Sequence, residues 1–173
     1  MISPELIQAI RMQYQLPWNG LHGPKHWARV MENGLKLTSL TGAQTEVVEL
    51  FAVFHDACRI NEDWDENHGS RGADLAGIFR GKYFDLNDQD FIALKVACRL
   101  HTAGFTEGDV TVLTCWDADR LDLGRVGIYP DKRYLCTAAA KQPEILAWAN
   151  ERASSEFVPE FVDTHWMNPA PTL

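Results

Sequence analysis

The chain has 173 residues, enough for one domain with a real core, and its 46% apolar and 23% charged content is that of an ordinary globular protein. The net charge of -8 argues against non-specific binding to nucleic acid or to an anionic membrane. No apolar run approaches the ~20 residues of a membrane span, so no membrane partner is expected.

In chain order the patterns are helical. Residues 3–14 predict a first helix, with Ser3 as N-cap, Pro4 at the first helical position and apolar Leu6, Ile7 and Ile10. Gly23-Pro24 opens a second that runs to about Leu40, with Trp27, Val30, Met31, Leu35 and Leu37 as its stripe. Gly42 permits a turn. Residues 43–58 form a third helix, in which Val47, Val48, Leu50, Phe51 and Phe54 lead up to His55-Asp56. The acidic segment 59–67 reads as a loop. Helices are then expected at about His68–Phe79, at Asp88–Thr102 with Gly104 as C-cap, and from Thr106 or Gly108 to about Leu123. Gly124, Gly127 and Pro130 break the pattern, a last helix covers about 141–153, and 159–173 reads as an irregular tail in which His165 has no visible companion. Val110-Thr111-Val112 is β-branched, but nothing alternates over a strand's length. The class is all-α, a single compact domain over 1–173 with about six to seven helices.

The start Met1-Ile2-Ser3-Pro4-Glu5 has no basic region followed by an apolar one, so no signal peptide is visible and a cytoplasmic location is expected. Cys58, Cys98, Cys115 and Cys136 form no CxxC pair and read as reduced thiols, small buried hydrophobes in effect.

His55-Asp56 is the most telling pair. A buried charge without a partner costs several kcal/mol, so a polar pair closing an apolar helix calls for a partner or a metal. Helical spacing turns three further histidines inward. His26 shares a face with Val30 and Leu37, His101 follows Leu94, Ala97 and Cys98, and His68 begins the fourth helix. Each alone reads as a core or helix-end histidine. Together they stand beside an Asp-rich helix, Thr114 to Asp122. Its acids read either as a solvated face paired with Arg120 and Arg125 or as site residues, and Trp116 and Leu121 leave little room for the first. Asp117 and Asp119 point roughly 200° apart, and periodicity does not choose between them.

The ordered set His26-Trp27-Ala28-Arg29-Val30, His55-Asp56 and Ala118-Asp119-Arg120-Leu121 resembles the H…HD…D signature of the HD-domain metal-dependent phosphohydrolases over about residues 20–125. That resemblance implies a helix-rich fold and favours Asp119 as the ligand. His68-Gly69-Ser70-Arg71-Gly72-Ala73 and His101 resemble the extra histidines of binuclear members, which include cyclic-dinucleotide phosphodiesterases and HD-type mixed-valent diiron oxygenases. By the same resemblance Asp56 bridges two ions, His26, His55 and Asp119 hold the first, and His68 and His101 hold the second. The Gly-Tyr-Pro tripeptide of the cyclic-dinucleotide branch is absent, and residues 126–173 draw nothing from the resemblance.

Mixed imidazole and carboxylate donors suit Mn, Fe, Co, Ni or Zn, as one ion or two. The implied activity is hydrolysis of a phosphate ester, of a nucleotide or other small metabolite, by metal-activated water with His55 and Asp56 at the catalytic centre. The alternatives are a diiron oxygenase with the same six ligands and a non-catalytic nucleotide-binding regulatory module. His22, Arg29, Arg59 and Arg71 are the expected substrate contacts, and Lys25 reads as a surface cation. Pro24 sets the helix start after His22, which leaves His22 in a loop. Glu62 and Asp63 follow the dyad at a spacing unlike that of the assisting acids in relatives.

Overall fold

Ser3 accepts a hydrogen bond from the Leu6 amide at 3.2 Å and Pro4 pre-sets the first turn, which starts α1 (Pro4–Arg11). The computed structural model describes residues 2–167, and of 163–165 only the backbone; 168–173, the end of the expected tail, and the His165 side chain lie outside the described residues. The other helices among the described residues are α2 (Pro24–Thr41), α3 (Thr45–Phe54), α4 (His68–Phe79), α5 (Asp88–Leu100), α6 (Val110–Arg120) and α7 (Pro143–Ser154). One isolated bridge joins Arg80 to Phe84, and the described chain contains no strand. The fold is all-α.

Several boundaries differ from the periodicity. The third helix, expected to reach residue 58, ends at Phe54 with His55 as its C-cap. His55 Nδ1 donates to the Phe51 and Ala52 carbonyls, both at 3.1 Å, and so occupies the acceptor that the next helical turn needs. The sixth helix starts later than expected, because Gly108 lies at φ 153° and Asp109 caps the Thr111 amide at 2.8 Å. After α6 the chain forms a short 3-10 helix, Leu123–Val126. The tail is partly ordered rather than irregular throughout. Val162–Met167 is a π-helix, Trp166 is buried, and its carbonyl accepts from Trp18 Nε1 at 3.1 Å.

The second half of α3 is apolar on every side and every residue from Leu50 to Phe54 is buried, so it occupies the centre with α2, α4, α5 and α6 packed around it. Close approach of α4 depends on two glycines. A Cβ on Gly72 would lie 2.1 Å from the Phe54 carbonyl oxygen, and one on Gly69 would lie 2.1 Å from that of Cys98. These contacts bring the start of α4 against the ends of α3 and α5, where His55 and His101 stand. A smaller core of Leu37, Leu121, Leu135, Ile145 and Leu146 forms beneath α7. Cys98 and Cys115 are buried as expected of small hydrophobes, whereas Cys58 and Cys136 are only partly so; all four are free.

Candidate metal centre

Five of the six expected ligands, His26, His55, Asp56, His68 and His101, are buried, and Asp119 is partly exposed. They come from α2, the end of α3, the start of α4, the end of α5 and the end of α6. His26 Nε2 lies 3.1 Å from His55 Nε2, and Asp56 Oδ2 lies 3.6 Å from each. Asp119 Oδ1 completes this group, at 3.4 Å from His26 Nε2 and 3.8 Å from His55 Nε2. The other oxygen of Asp56 faces a second pair. Its Oδ1 lies 3.2 Å from His68 Nε2 and 3.8 Å from His101 Nε2, and those two nitrogens are 2.9 Å apart. Each of the groups His26–His55–Asp56 and Asp56–His68–His101 could hold a metal ion.

The protons of the four rings are set by what lies behind them. His26 Nδ1 donates to Asp122 Oδ2 at 2.7 Å, His55 Nδ1 to helix carbonyls, His68 Nδ1 to the Asp65 carbonyl and His101 Nδ1 to the Cys98 carbonyl at 2.7 Å. Every neutral ring therefore turns a bare Nε2 lone pair inward. Lone pairs facing each other across about 3 Å in a buried site repel, and a cation between them removes the repulsion. Metal–donor bonds of about 2.0–2.2 Å place neighbouring donors about 3–3.6 Å apart, which brackets most of the separations observed. The donor set could hold a metal ion.

Protonation answers differently at the two pairs. Burial, with Arg125 and His55 adding to it, holds His26 well below the usual imidazole range. Burial also lowers His55, against the pull of Asp56 and Asp119. His68 is pushed down to about 4, again chiefly by burial. At His101 burial acts in the same direction, but the Asp56 carboxylate outweighs it and the pKa rises. Burial alone would raise Asp56; the imidazoles of His55, His101 and His26 overcome it and hold the carboxylate well below its ordinary range. Asp119 is lowered too, burial being outweighed by His55, His26 and His101.

The structure separates the two acids that periodicity left equivalent. Asp119 faces the imidazoles, while Asp117 accepts from the Cys136 amide at 2.6 Å, the Thr137 amide at 2.8 Å and the Thr137 hydroxyl at 2.7 Å, and so anchors the chain beyond α6. The four expected substrate contacts are each engaged with the protein. Arg29 is buried and grips Asp122 through Nε at 2.7 Å and its NH2 group at 3.1 Å, and its NH1 group reaches the Phe157 carbonyl. Arg59 Nε donates to Asp56 Oδ1 at 3.0 Å and its NH1 group to the Asn61 and Asp63 carbonyls. Arg71 braces the same loop through the Cys58 carbonyl and Asp65 Oδ2. His22, in the turn before α2, pairs with Glu62 Oε2 at 2.5 Å.

Sequence reasoning missed Asp122, which is fully buried and orients His26 as a carboxylate behind a ligating imidazole does. Its signal was available: three residues after Asp119, it lies on the same side of the chain one turn on. Asp65 was also missed; its carbonyl orients His68 while its carboxylate accepts from Arg71 and the Ile60 amide, and no side-chain pattern marks the first contact. The Tyr14 hydroxyl is buried without a hydrogen-bond partner among the described residues, and burial with the charges of Glu62 and Asp56 raises its pKa. No family model, curated protein or solved structure matches this chain.

Proposed function

We propose that the protein is a metal-dependent phosphohydrolase of the HD type, with a centre for two divalent ions bridged by Asp56. The observation that supports this most directly is the division of one buried carboxylate between two histidine pairs whose lone pairs are all turned inward. His26, His55 and Asp119 would hold one ion and His68 and His101 the other. Ions bound there would supply a water of lowered pKa and positive charge for the phosphoryl oxygens. Arg59 holds the bridging carboxylate in place, and Asp122, clamped by Arg29, holds His26. A small cavity of about 290 Å³ beside His26 is lined by Lys25, Arg29 and Arg125, with Glu156 among its walls. Arg29 is spent on Asp122, so the positive charge that this cavity offers an anionic substrate comes from Lys25 and Arg125.

Elemental analysis of the purified protein, followed by a phosphate-release screen over nucleotides and small phosphate esters with each candidate metal, tests the reading. Asp56→Ala should remove about two ions per chain and reduce activity to background while the helical circular dichroism persists; retained activity would overturn it. Oxygen consumption by the iron-loaded protein, with no phosphate released from any ester, would replace it with the oxygenase.

A further inference from the structure

A cavity of about 610 Å³ adjoins the metal centre, and two of the six donors, His101 and Asp119, line it. Its volume is in the range of small-molecule sites, roughly 300–1,000 Å³. Most of the remaining wall comes from residues 123–135, where Leu123, Ile128, Tyr129 and Tyr134 present apolar surface. Ile128, Tyr129 and Tyr134 are 54%, 58% and 59% exposed, so three large side chains stand in water around one opening. Such a cluster, unlike single exposed apolar residues, marks a surface built to be covered.

The polar groups of this cavity are largely spent on its own construction. Arg120 is the one cation among the described lining residues; it donates to the Tyr134 carbonyl at 2.6 Å and the Phe105 carbonyl at 2.9 Å. It therefore ties the wall to α6 in place of facing a ligand. Asp131 pairs with Arg133 at 2.7 Å. Asp117 fixes the wall's far end through Cys136 and Thr137, and Leu135 is anchored in the smaller core. What remains toward the interior is an apolar chamber with the metal donors at one side.

We propose that this cavity receives the alcohol half of the substrate, and that this half is an aromatic or aliphatic group rather than a small polar one. The proposal rests on the phosphohydrolase reading of the same centre. With the phosphoryl group at the donors, an aromatic group reaches Tyr129, Tyr134 and Ile128, whose rings and methyls offer stacking and burial. Hydrolysis forms one P–O bond from water and breaks the P–O bond to the alcohol. The proton released by water ends on the departing oxygen, so the products are the free alcohol in the cavity and inorganic phosphate.

The experiment is calorimetric titration of the manganese-loaded protein with phenylphosphonate and with methylphosphonate, alongside metal analysis. Phenylphosphonate should bind about tenfold tighter, the ring alone making the difference. Ile128→Asp should bring the two affinities together with metal content unchanged, and Tyr129→Ala, which adds no charge, should remove part of the gap. In turnover, benzyl phosphate, whose departing alcohol is about as basic as that of glycerol 3-phosphate, should exceed it in kcat/KM by a similar factor, and Ile128→Asp should narrow it. Equal affinities in the wild type, or a preference untouched by both substitutions, overturns the cavity's role and leaves the phosphohydrolase reading standing. A protein that binds no metal removes that reading and this inference with it.

Discussion

The two histidine pairs share one carboxylate but are held by different means. Behind His26 stands Asp122, a buried acid gripped by Arg29, and Asp119 adds a second carboxylate to the first pair. Behind His68 and His101 the described residues place backbone carbonyls, those of Asp65 and Cys98, and the Asp56 oxygen that faces them also accepts from Arg59. The first pair has more negative charge and resists protonation at both rings. The second has a shared, partly neutralised oxygen and one ring, His101, whose pKa is raised. On the two-ion reading proposed above, this difference predicts firmer binding at the first group than at the second, because ligand charge and oriented imidazoles raise metal affinity.

The largest break of that comparison is removal of one pair. His101→Ala or His68→Ala should lower the metal content by about one ion per chain, and a chelator titration of the wild type should release the ions in two steps. An unchanged content would make the centre mononuclear. Next in size, Asp119→Asn should strip the first site, whereas Asp117→Asn should keep both ions and lower thermal stability. Asp117 is a buried acceptor of three hydrogen bonds, and weakening them costs about 1–3 kcal/mol. The reverse pattern in metal analysis and melting would exchange their roles.

A finer change tests the support behind the ligands. Asp122→Asn should weaken metal binding about 10- to 100-fold, chiefly at the first site, as read by competition with a metal indicator. If the second site weakens instead, the assignment of Asp122 to His26 loses its consequence. The smallest effect is on pH dependence. In the metal-free protein His68 titrates at about 4 instead of 6.5, mainly because it is buried. Between those values the unfolded chain carries a proton that the native protein lacks, so stability falls as pH drops from about 6.5 to 4. His101, with its pKa raised, contributes in the opposite sense, as stability present at low pH and lost as pH rises through its folded value. Melting of the metal-free protein should show a decline of a few degrees across that window, and His68→Ala should flatten part of it. A slope that His68→Ala leaves intact belongs to other groups.

Much of this centre was legible because polar residues on apolar faces are costly, and cost leaves a pattern. His26, His55, Asp56 and His101 each interrupt a buried stripe, and α4 runs from His68 to Phe79 as its periodicity predicts. The choice of Asp119 over Asp117 was not legible from the pattern, since both point toward apolar neighbours. It depends on which side of α6 meets α2 and which meets the chain at 136–137. Arg29 shows the same limit, since an arginine next to a ligand motif fits a phosphate contact as well as a clamp on a remote carboxylate. Only the approach of Asp122, 93 positions later, reveals the clamp.

By itself the sequence determined the helical class, the position of most helices and the inward set of histidines, because hydrophobic periodicity and the cost of burying charge act locally along the chain. The tertiary structure supplied the distances for the imidazole pairing and the two-sided Asp56 that the resemblance implied, and it alone decided the contacts of Arg29, Arg59 and Arg71 with the protein and the apolar cavity walled largely by residues 123–135. Those depend on distances between segments far apart in the chain, and no local period encodes them.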